Sequence, residues 1–204
     1  MLLVVGGHSR NIGKTSVVEG LIRKIKDRRW TALKITQSGN DVCSHHSGAC
    51  GCEPEPGEPF ALSEEYEPNP TDSGRFLAAG AERSFWLRVP AGGLLAAAAT
   101  VRKILSQGEN VIVESNSVLE LVQPDLFLML LDFSCQDFKA SSMRFLDRAD
   151  AFIVIDRGLN APLWDSVSRG LWDHKPHFSV KPPNYVNATL AGFVRSRLSA
   201  PSAR

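Results

Sequence analysis

The chain has 204 residues, 43% of them hydrophobic, with 23 basic and 22 acidic side chains and a formal net charge of +1. That length suits one domain able to bury a sizeable core without disulfide staples, and the charge balance gives no electrostatic case for nucleic acid or a membrane surface as partner. No apolar run approaches the ~20 residues of a spanning helix, and the N-terminus lacks the charged n-region of a signal peptide, so a cytoplasmic protein is expected.

The first element is the apolar run Leu2-Leu3-Val4-Val5, a strand that runs straight into Gly6-Gly7-His8-Ser9-Arg10-Asn11-Ile12-Gly13-Lys14-Thr15-Ser16. Val18, Leu21, Ile22 and Ile25 then fall at helical spacing, and Thr31 to Thr36 is a short β-rich run. A strand–helix–strand start predicts an α/β fold, a mainly parallel sheet with helices on both faces. From Ile35 to Gly74 there is no Lys or Arg, while Asp41, six glutamates from Glu53 to Glu67, and Asp72 supply negative charge. Pro54, Pro56, Pro59, Pro68 and Pro70 argue against regular structure there, so a long acidic, Cys/His/Pro-rich insert is expected at about 40–71 of a single domain 1–200, with 201–204 as a tail. Regularity resumes with Thr71-Asp72-Ser73 as an N-cap for a helix carrying Phe76, Leu77 and Ala79 and closed by Gly80. Further on, strands are predicted at Phe85–Val89, Val111–Val113, Leu126–Leu131, Ala151–Ile155 and Phe178–Val180. Helices are predicted at Leu94–Leu105, Phe138–Ala149, around Leu163–Leu171, and from Val186 to Leu198.

Gly13-Lys14-Thr15 has the chemistry of the end of a phosphate-binding loop. Backbone N–H groups at a helix N-terminus wrap an anionic phosphate, Lys14 reaches the outer phosphates, and the Thr15 hydroxyl is the expected Mg²⁺ ligand. Residues Gly7 to Ser16 are therefore the candidate nucleotide-binding segment for ATP or GTP. The usual spacing wants glycine at position 8, where this chain has His8; the nearest glycine is Gly7, one residue early, so the loop is a longer variant. Arg10 either adds charge over the phosphates or points to solvent. Glu114 ends an apolar strand, at the carboxyl edge where such sheets bind ligands, and is a candidate for Mg²⁺ binding or for polarising an attacking group. Asp132 and Asp156 end their strands in the same way and are read as rim residues or caps. Lys34-Ile35-Thr36-Gln37-Ser38-Gly39-Asn40-Asp41 brings Lys34 and Ser38 to the same edge, facing substrate or partner, with Asp41 as a further Mg²⁺ ligand. Lys14, Lys34 and Glu114 are the candidate catalytic residues.

The extended loop from Gly7 to Thr15 resembles the G-T-x-T-x-V-G-K-T loop of dethiobiotin synthetases and the G-T-H-S-G-x-G-K-T loop of cobyrinic acid a,c-diamide synthases. Lys34 to Gly39 is similar to the dethiobiotin synthetase K-P-V-x-[ST]-G segment, and Glu114 stands where that family has V-E-G-A-G-G. The run from Asp72 to Ala81 resembles the D-S-x-R-x-x-x-A-G-A segment of the molybdopterin-guanine dinucleotide biosynthesis protein B family. The resemblance covers roughly residues 1–41, 72–89 and 111–117. It implies the P-loop NTPase fold, in a branch that builds cofactors or assists assembly, commonly as homodimers, with a small carboxylate or pterin as substrate. Glu114 is followed by Ser115-Asn116-Ser117 rather than G-A-G-G, and no N-K-x-D guanine motif appears, which leaves ATP as the expected nucleotide.

The remaining motif is Cys43-Ser44-His45-His46-Ser47-Gly48-Ala49-Cys50-Gly51-Cys52. Three thiols and two imidazoles in ten residues exceed any packing need of a polar loop. Cys43, His45, His46, Cys50 and Cys52 are candidate ligands for Zn²⁺ or another soft metal, and an Fe–S cluster is an alternative. Two function classes follow. One is an ATP-driven enzyme of cofactor biosynthesis; the other is an accessory NTPase whose Cys/His loop binds a metal or delivers it to a client metalloenzyme. A nucleotide-binding regulator with little turnover is a third.

Overall fold

Strand β1 (Leu2–Gly7) lies at the middle of the molecule, hydrogen-bonded on both sides. A computed structural model describes residues 1–38, 54–165 and 167–199. Asp41 and the candidate soft-metal ligands Cys43, His45, His46, Cys50 and Cys52 lie outside the described residues. The other strands are β2 (Trp30–Ser38), β3 (Ala61–Glu65), β4 (Arg83–Pro90), β5 (Asn110–Glu114), β6 (Leu126–Asp132), β7 (Ala151–Ile155) and β8 (His177–Val180). They form one sheet in the order β3-β4-β2-β5-β1-β6-β7-β8, parallel throughout except for β3, which runs antiparallel to β4 at the edge.

Parallel strands buried on both faces need continuous apolar sequence, and β6, Leu126 to Asp132, is buried at every position. Alternation sorts the side chains to two cores. Leu3 and Val5 belong to one, with Val17, Val18, Leu21 and Ile22 of α1 (Lys14–Lys24) and Leu190, Ala191 and Val194 of α5 (Ala188–Ser199). Val4 belongs to the other, with Val101 and Ile104 of α3 (Ala98–Gln107) and an aromatic group of Phe133, Trp164 and Trp172. Burying one Leu or Ile of this kind contributes about 1.5–3 kcal/mol, so the apolar stripe of α1 fixes which way its N-terminus points. No helix among the described residues is long and apolar enough to cross a membrane.

Several elements differ from the sequence expectation. Within the acidic stretch, β3 forms at Ala61–Glu65 because Pro59 and Pro68 flank it rather than interrupt it, and an edge strand tolerates such neighbours. The helix expected over Phe138–Ala149 is reduced to α4 (Ala140–Met143) and a 3-10 turn at Leu146–Arg148. Phe138 packs against His8 and Trp164 with ring centroids 5.0 and 5.2 Å away, and the Ser142 hydroxyl donates to the Gly7 carbonyl, so tertiary contacts override the helical period. Around Leu163–Leu171 the described residues form a 3-10 turn at Arg169–Leu171 in place of the expected helix, with Trp164 and Trp172 turned inward onto Phe133. The helix expected at Leu94–Leu105 opens with a 3-10 turn, Gly93–Ala97, before α3. Helix α2 (Asp72–Ala78) starts as predicted, with the Thr71 side chain accepting from the Gly74 N–H at 3.0 Å.

Candidate functional site

The carboxyl ends of β1, β2 and β5 open into a cavity of about 770 Å³, bounded on its other sides by the start of α2 and the loop after β6. Open parallel sheets present ligand sites at this edge.

The loop between β1 and α1 is held from below. The Asn116 side chain brackets Gly7, accepting from its N–H at 2.9 Å and donating to its carbonyl at 2.9 Å. A Cβ at Gly7 would lie 2.8 Å from Ile12 Cδ1, so a side chain there would displace the end of Ile12. His8 is fully buried. Its Nε2 accepts the Asp132 backbone N–H at 3.0 Å, which leaves Nδ1 to carry the proton and donate to the Asp137 carbonyl at 3.1 Å. Burial is the largest influence on this imidazole and holds it below its ordinary pKa, against the pull of Asp132 and Asp137. The Ser9 hydroxyl donates to Asp137 at 2.8 Å, and the Lys139 N–H donates to the His8 carbonyl at 2.9 Å. The side chain at position 8, where shorter loops have glycine, thus ties the loop between β1 and α1 to the loop after β6.

Beyond it the backbone turns through Asn11 and Gly13, both left-handed, at φ 56° and 98°. Gly13 is the N-cap of α1 and offers no side chain to its first turn, so the leading N–H groups of the helix stay available to an anion. A Cβ at Gly13 would also collide with the Tyr185 ring. Lys14 Nζ donates to the Ser9 carbonyl at 3.2 Å across the loop. Burial lowers its pKa, with Glu114 opposing and Lys34 adding to the fall.

The opposite wall is a cluster of four side chains from four elements. Lys34 of β2 and Glu114 of β5 are register partners on adjacent strands, which aligns them without further cause. The Lys34 ammonium donates to Glu114 Oε1 at 3.0 Å, to Asp72 Oδ2, and to Thr15 Oγ1 at 3.4 Å. Thr15 in turn donates to Glu114 Oε2 at 2.8 Å. Burial disfavours charge on Lys34, but Glu114 and Asp72 outweigh it and hold its pKa above the ordinary value. Asp72 is held below the usual carboxylate range, burial being overcome by Lys34 and Arg75. Arg75 lies 3.6 Å from Asp72 and 2.6 Å from Glu19, which steadies α2 against α1.

Three oxygen-bearing side chains, Thr15, Asp72 and Glu114, therefore already surround a cation, the Lys34 ammonium. Hard oxygen donors of this kind fit Mg²⁺, with the rest of the shell left to phosphate oxygens and water. Asp72 is a carboxylate that sequence reasoning placed at a helix start and not in the site. Its signal was present in the N-cap run Thr71-Asp72-Ser73, but the approach of α2 to β2 was not.

Of the segment Gly7–Ser16, the residues Arg10, Asn11, Gly13, Lys14, Thr15 and Ser16 line the cavity, whereas Gly7, His8, Ser9 and Ile12 lie behind it. Lys34 and Glu114 line it as well. Ser38 does not; its hydroxyl donates to the Val89 carbonyl at 3.3 Å at the end of β2. Asp132 accepts from Ser134 and lies 3.3 Å from Arg157, away from the cavity. Among the cavity residues that carried no sequence signal for the site are Trp86, whose indole N–H donates to Thr36 at 2.9 Å, and Lys139.

No family model matches the chain, and no curated protein matches it in sequence. Among solved structures, HypB from Helicobacter pylori in complex with nickel aligns with a TM-score of 0.50 at 13% identity, over 97% of this chain and 86% of that one. LpxK from Aquifex aeolicus in complex with ATP gives 0.47 at 19% identity, over 87% and 53% of the two chains. The signal recognition particle 54 kDa protein from Aeropyrum pernix K1 in complex with GDP gives 0.49 at 12% identity, over 97% and 46%. This chain thus spans only about half the length of the latter two. What is shared with HypB is the fold, a mainly parallel α/β sheet.

Proposed function

We propose that this crevice binds a Mg²⁺–nucleoside triphosphate and transfers or hydrolyses its terminal phosphoryl group. The observation that carries the reading is the convergence of an uncapped helix start at Lys14-Thr15 with Asp72 and Glu114 in one cavity. Lys14 neutralises the outer phosphate oxygens, and the N–H groups at the start of α1 orient them. Thr15, Asp72 and Glu114 would hold Mg²⁺, which would supply charge neutralisation to the phosphates. Lys34, beside those carboxylates, would face the transferred group or its acceptor. Catalysis of this kind rests on positioning and charge more than on covalent steps. ATP is preferred to GTP, because β7 is followed by Asp156-Arg157-Gly158 rather than an N-K-x-D guanine motif. The resemblance of the loop, of Lys34 to Gly39 and of Asp72 to Ala81 to cofactor-building enzymes supports an acceptor that is a small carboxylate or pterin, and a homodimeric state.

The test is Mg²⁺-dependent binding of ATP and GTP by calorimetry to the wild type and to Lys14→Ala. The substitution lowers affinity for ATP tenfold or more, as expected for one charge-assisted contact of about 1.5–3 kcal/mol; equal binding by the two proteins would sink the phosphate-loop reading.

A second reading, metal handling, is favoured by the run Cys43 to Cys52 alone. Bound Zn²⁺ or another soft metal in protein purified without chelator, lost in a Cys50→Ser/Cys52→Ser variant, supports it. Metal content near zero in the wild type removes it.

A further inference from the structure

The two walls of the cavity carry their positive charge differently. On one, Lys34 is neutralised by Asp72 and Glu114. On the other, Lys139 enters from the loop after β6, half-buried, and its ammonium has no hydrogen bond or ion pair to any described residue. Its backbone is fixed by the bond to the His8 carbonyl, and the preceding ring, Phe138, is wedged between His8 and Trp164. The side chain is thus held at the rim of the phosphate loop by the same lacing that replaces the usual glycine with His8.

The groups facing Lys139 are mostly of its own sign. Burial, then Lys14, then Arg10 lower its pKa to about 8, and only Asp137 pulls the other way. Holding an ammonium beside two other cations is unfavourable in the empty cavity, and the arrangement becomes favourable once an anion lies between them. Lys14 and Lys139 line the same cavity, so an outermost phosphate that Lys14 reaches from one side would meet a second cation on the other.

We propose that Lys139 is a third cation of the phosphate cradle, one that engages the outermost phosphate and so lets the site distinguish nucleoside triphosphate from diphosphate. This rests on the reading of the crevice as a nucleotide site, and it adds to that reading a residue from a separate loop and a basis for selectivity. Binding of the triphosphate keeps Lys139 protonated, so a proton is taken up from solvent at alkaline pH.

The test compares the Mg²⁺ complexes of ADP and of the β,γ-imido analogue of ATP by calorimetry, using wild type, Lys139→Met and Lys139→Arg at pH 8.5 in buffers of different ionisation enthalpy. In the wild type the analogue binds more tightly than ADP and with net proton uptake. Lys139→Met loses about tenfold or more of that preference while its ADP affinity is unchanged, and the proton uptake disappears. Lys139→Arg, which keeps the charge but does not titrate, retains the preference without the uptake, and serves as the test should Lys139→Met fail to fold. An unchanged triphosphate-to-diphosphate ratio in Lys139→Met, or an equal loss for both nucleotides, overturns the inference and leaves the phosphate loop standing. Loss of the preference in Lys139→Arg overturns it too. A wild type that binds neither nucleotide overturns both readings together.

Discussion

Replacing Lys34 by methionine removes the one cation that the Thr15–Asp72–Glu114 cluster encloses, and the structure sets the size of the effect. The Lys34 side chain is 16% exposed, Glu114 5% and Asp72 30%. At the 3.0 Å separation of Lys34 from Glu114, an effective dielectric of about 20 gives a gross attraction of roughly 5–6 kcal/mol. Desolvation of both groups offsets much of that, and the partial exposure of Asp72 weakens its share. Removing one partner from a buried pair nevertheless leaves an uncompensated charge, at about 3–5 kcal/mol. Lys34→Met is therefore destabilised by about 3–5 kcal/mol at pH 7 in urea unfolding, a large part of the roughly 5–15 kcal/mol typical of a domain. The double variant Lys34→Met/Glu114→Gln is less destabilised than the sum of its parts, because the orphaned charge is gone. The pH dependence has a defined sign. Lys34 is held above its ordinary 10.5, so its contribution is complete below that value and is lost as pH rises through the folded pKa. Asp72 is held below 3.8, so its contribution is present above that value and is lost as pH falls through the folded pKa. The stability gap between wild type and Lys34→Met is consequently flat across the neutral range. Millimolar Mg²⁺ raises the midpoint of Lys34→Met more than that of the wild type, since the metal then meets vacated ligands. A loss below about 1 kcal/mol that adds simply to that of Glu114→Gln would refute the account of the cluster.

Two further outcomes test the support of the loop. Asn116→Ala strips Gly7 N–H of its partner while the Gly7 carbonyl keeps Ser142 at 2.7 Å; the cost in urea unfolding is about 1–3 kcal/mol, and a value under about 0.5 kcal/mol would show that Asn116 is not the clamp. His8 is buried neutral with its pKa below 6.5, so its contribution is complete above that pH and is lost as pH falls through the folded value. His8→Gln keeps an acceptor near the Nε2 position without titrating, and it removes up to about 1.4 kcal/mol per pH unit of the stability slope below pH 6.5. Parallel slopes for the two proteins would mean that His8 does not carry the acid sensitivity.

What could be read from the sequence follows from how far apart in the chain the cooperating groups lie. Lys14 and Thr15 announce themselves because strand, loop and helix are contiguous, and Glu114 because its strand is apolar to the last residue. Lys34 and Glu114 become neighbours simply because β2 and β5 pair in parallel register. Asp72 and Lys139 are different. Each belongs to an element whose own pattern explains it fully, as a residue beside an N-cap or in a loop, and each reaches the cavity only through the packing of distant parts. Asp72 comes by way of α2 against α1, and Lys139 by way of Phe138 against His8 and Trp164. The shortening of the 138–149 helix has the same origin, since a regular helix there is incompatible with the Ser142 and Phe138 contacts as they stand.

His8 is where local and distant information meet. Read alone, a histidine at that position only lengthens the loop. In the fold its ring crosses to Asp132 and Asp137, and its carbonyl receives the N–H of Lys139, so the irregularity in the phosphate loop and the added cation on its rim have one structural cause. That coupling makes the two walls of the cavity complementary before any ligand arrives. The wall of Asp72 and Glu114 carries acidic oxygens already organised around a positive charge, whereas on the other wall the Lys139 ammonium has no hydrogen bond or ion pair to a described residue. On the function proposed above, a ligand that brought a divalent metal to the first and a chain of phosphates to the second would satisfy both at once, and a nucleotide without its outer phosphate would leave Lys139 unsatisfied.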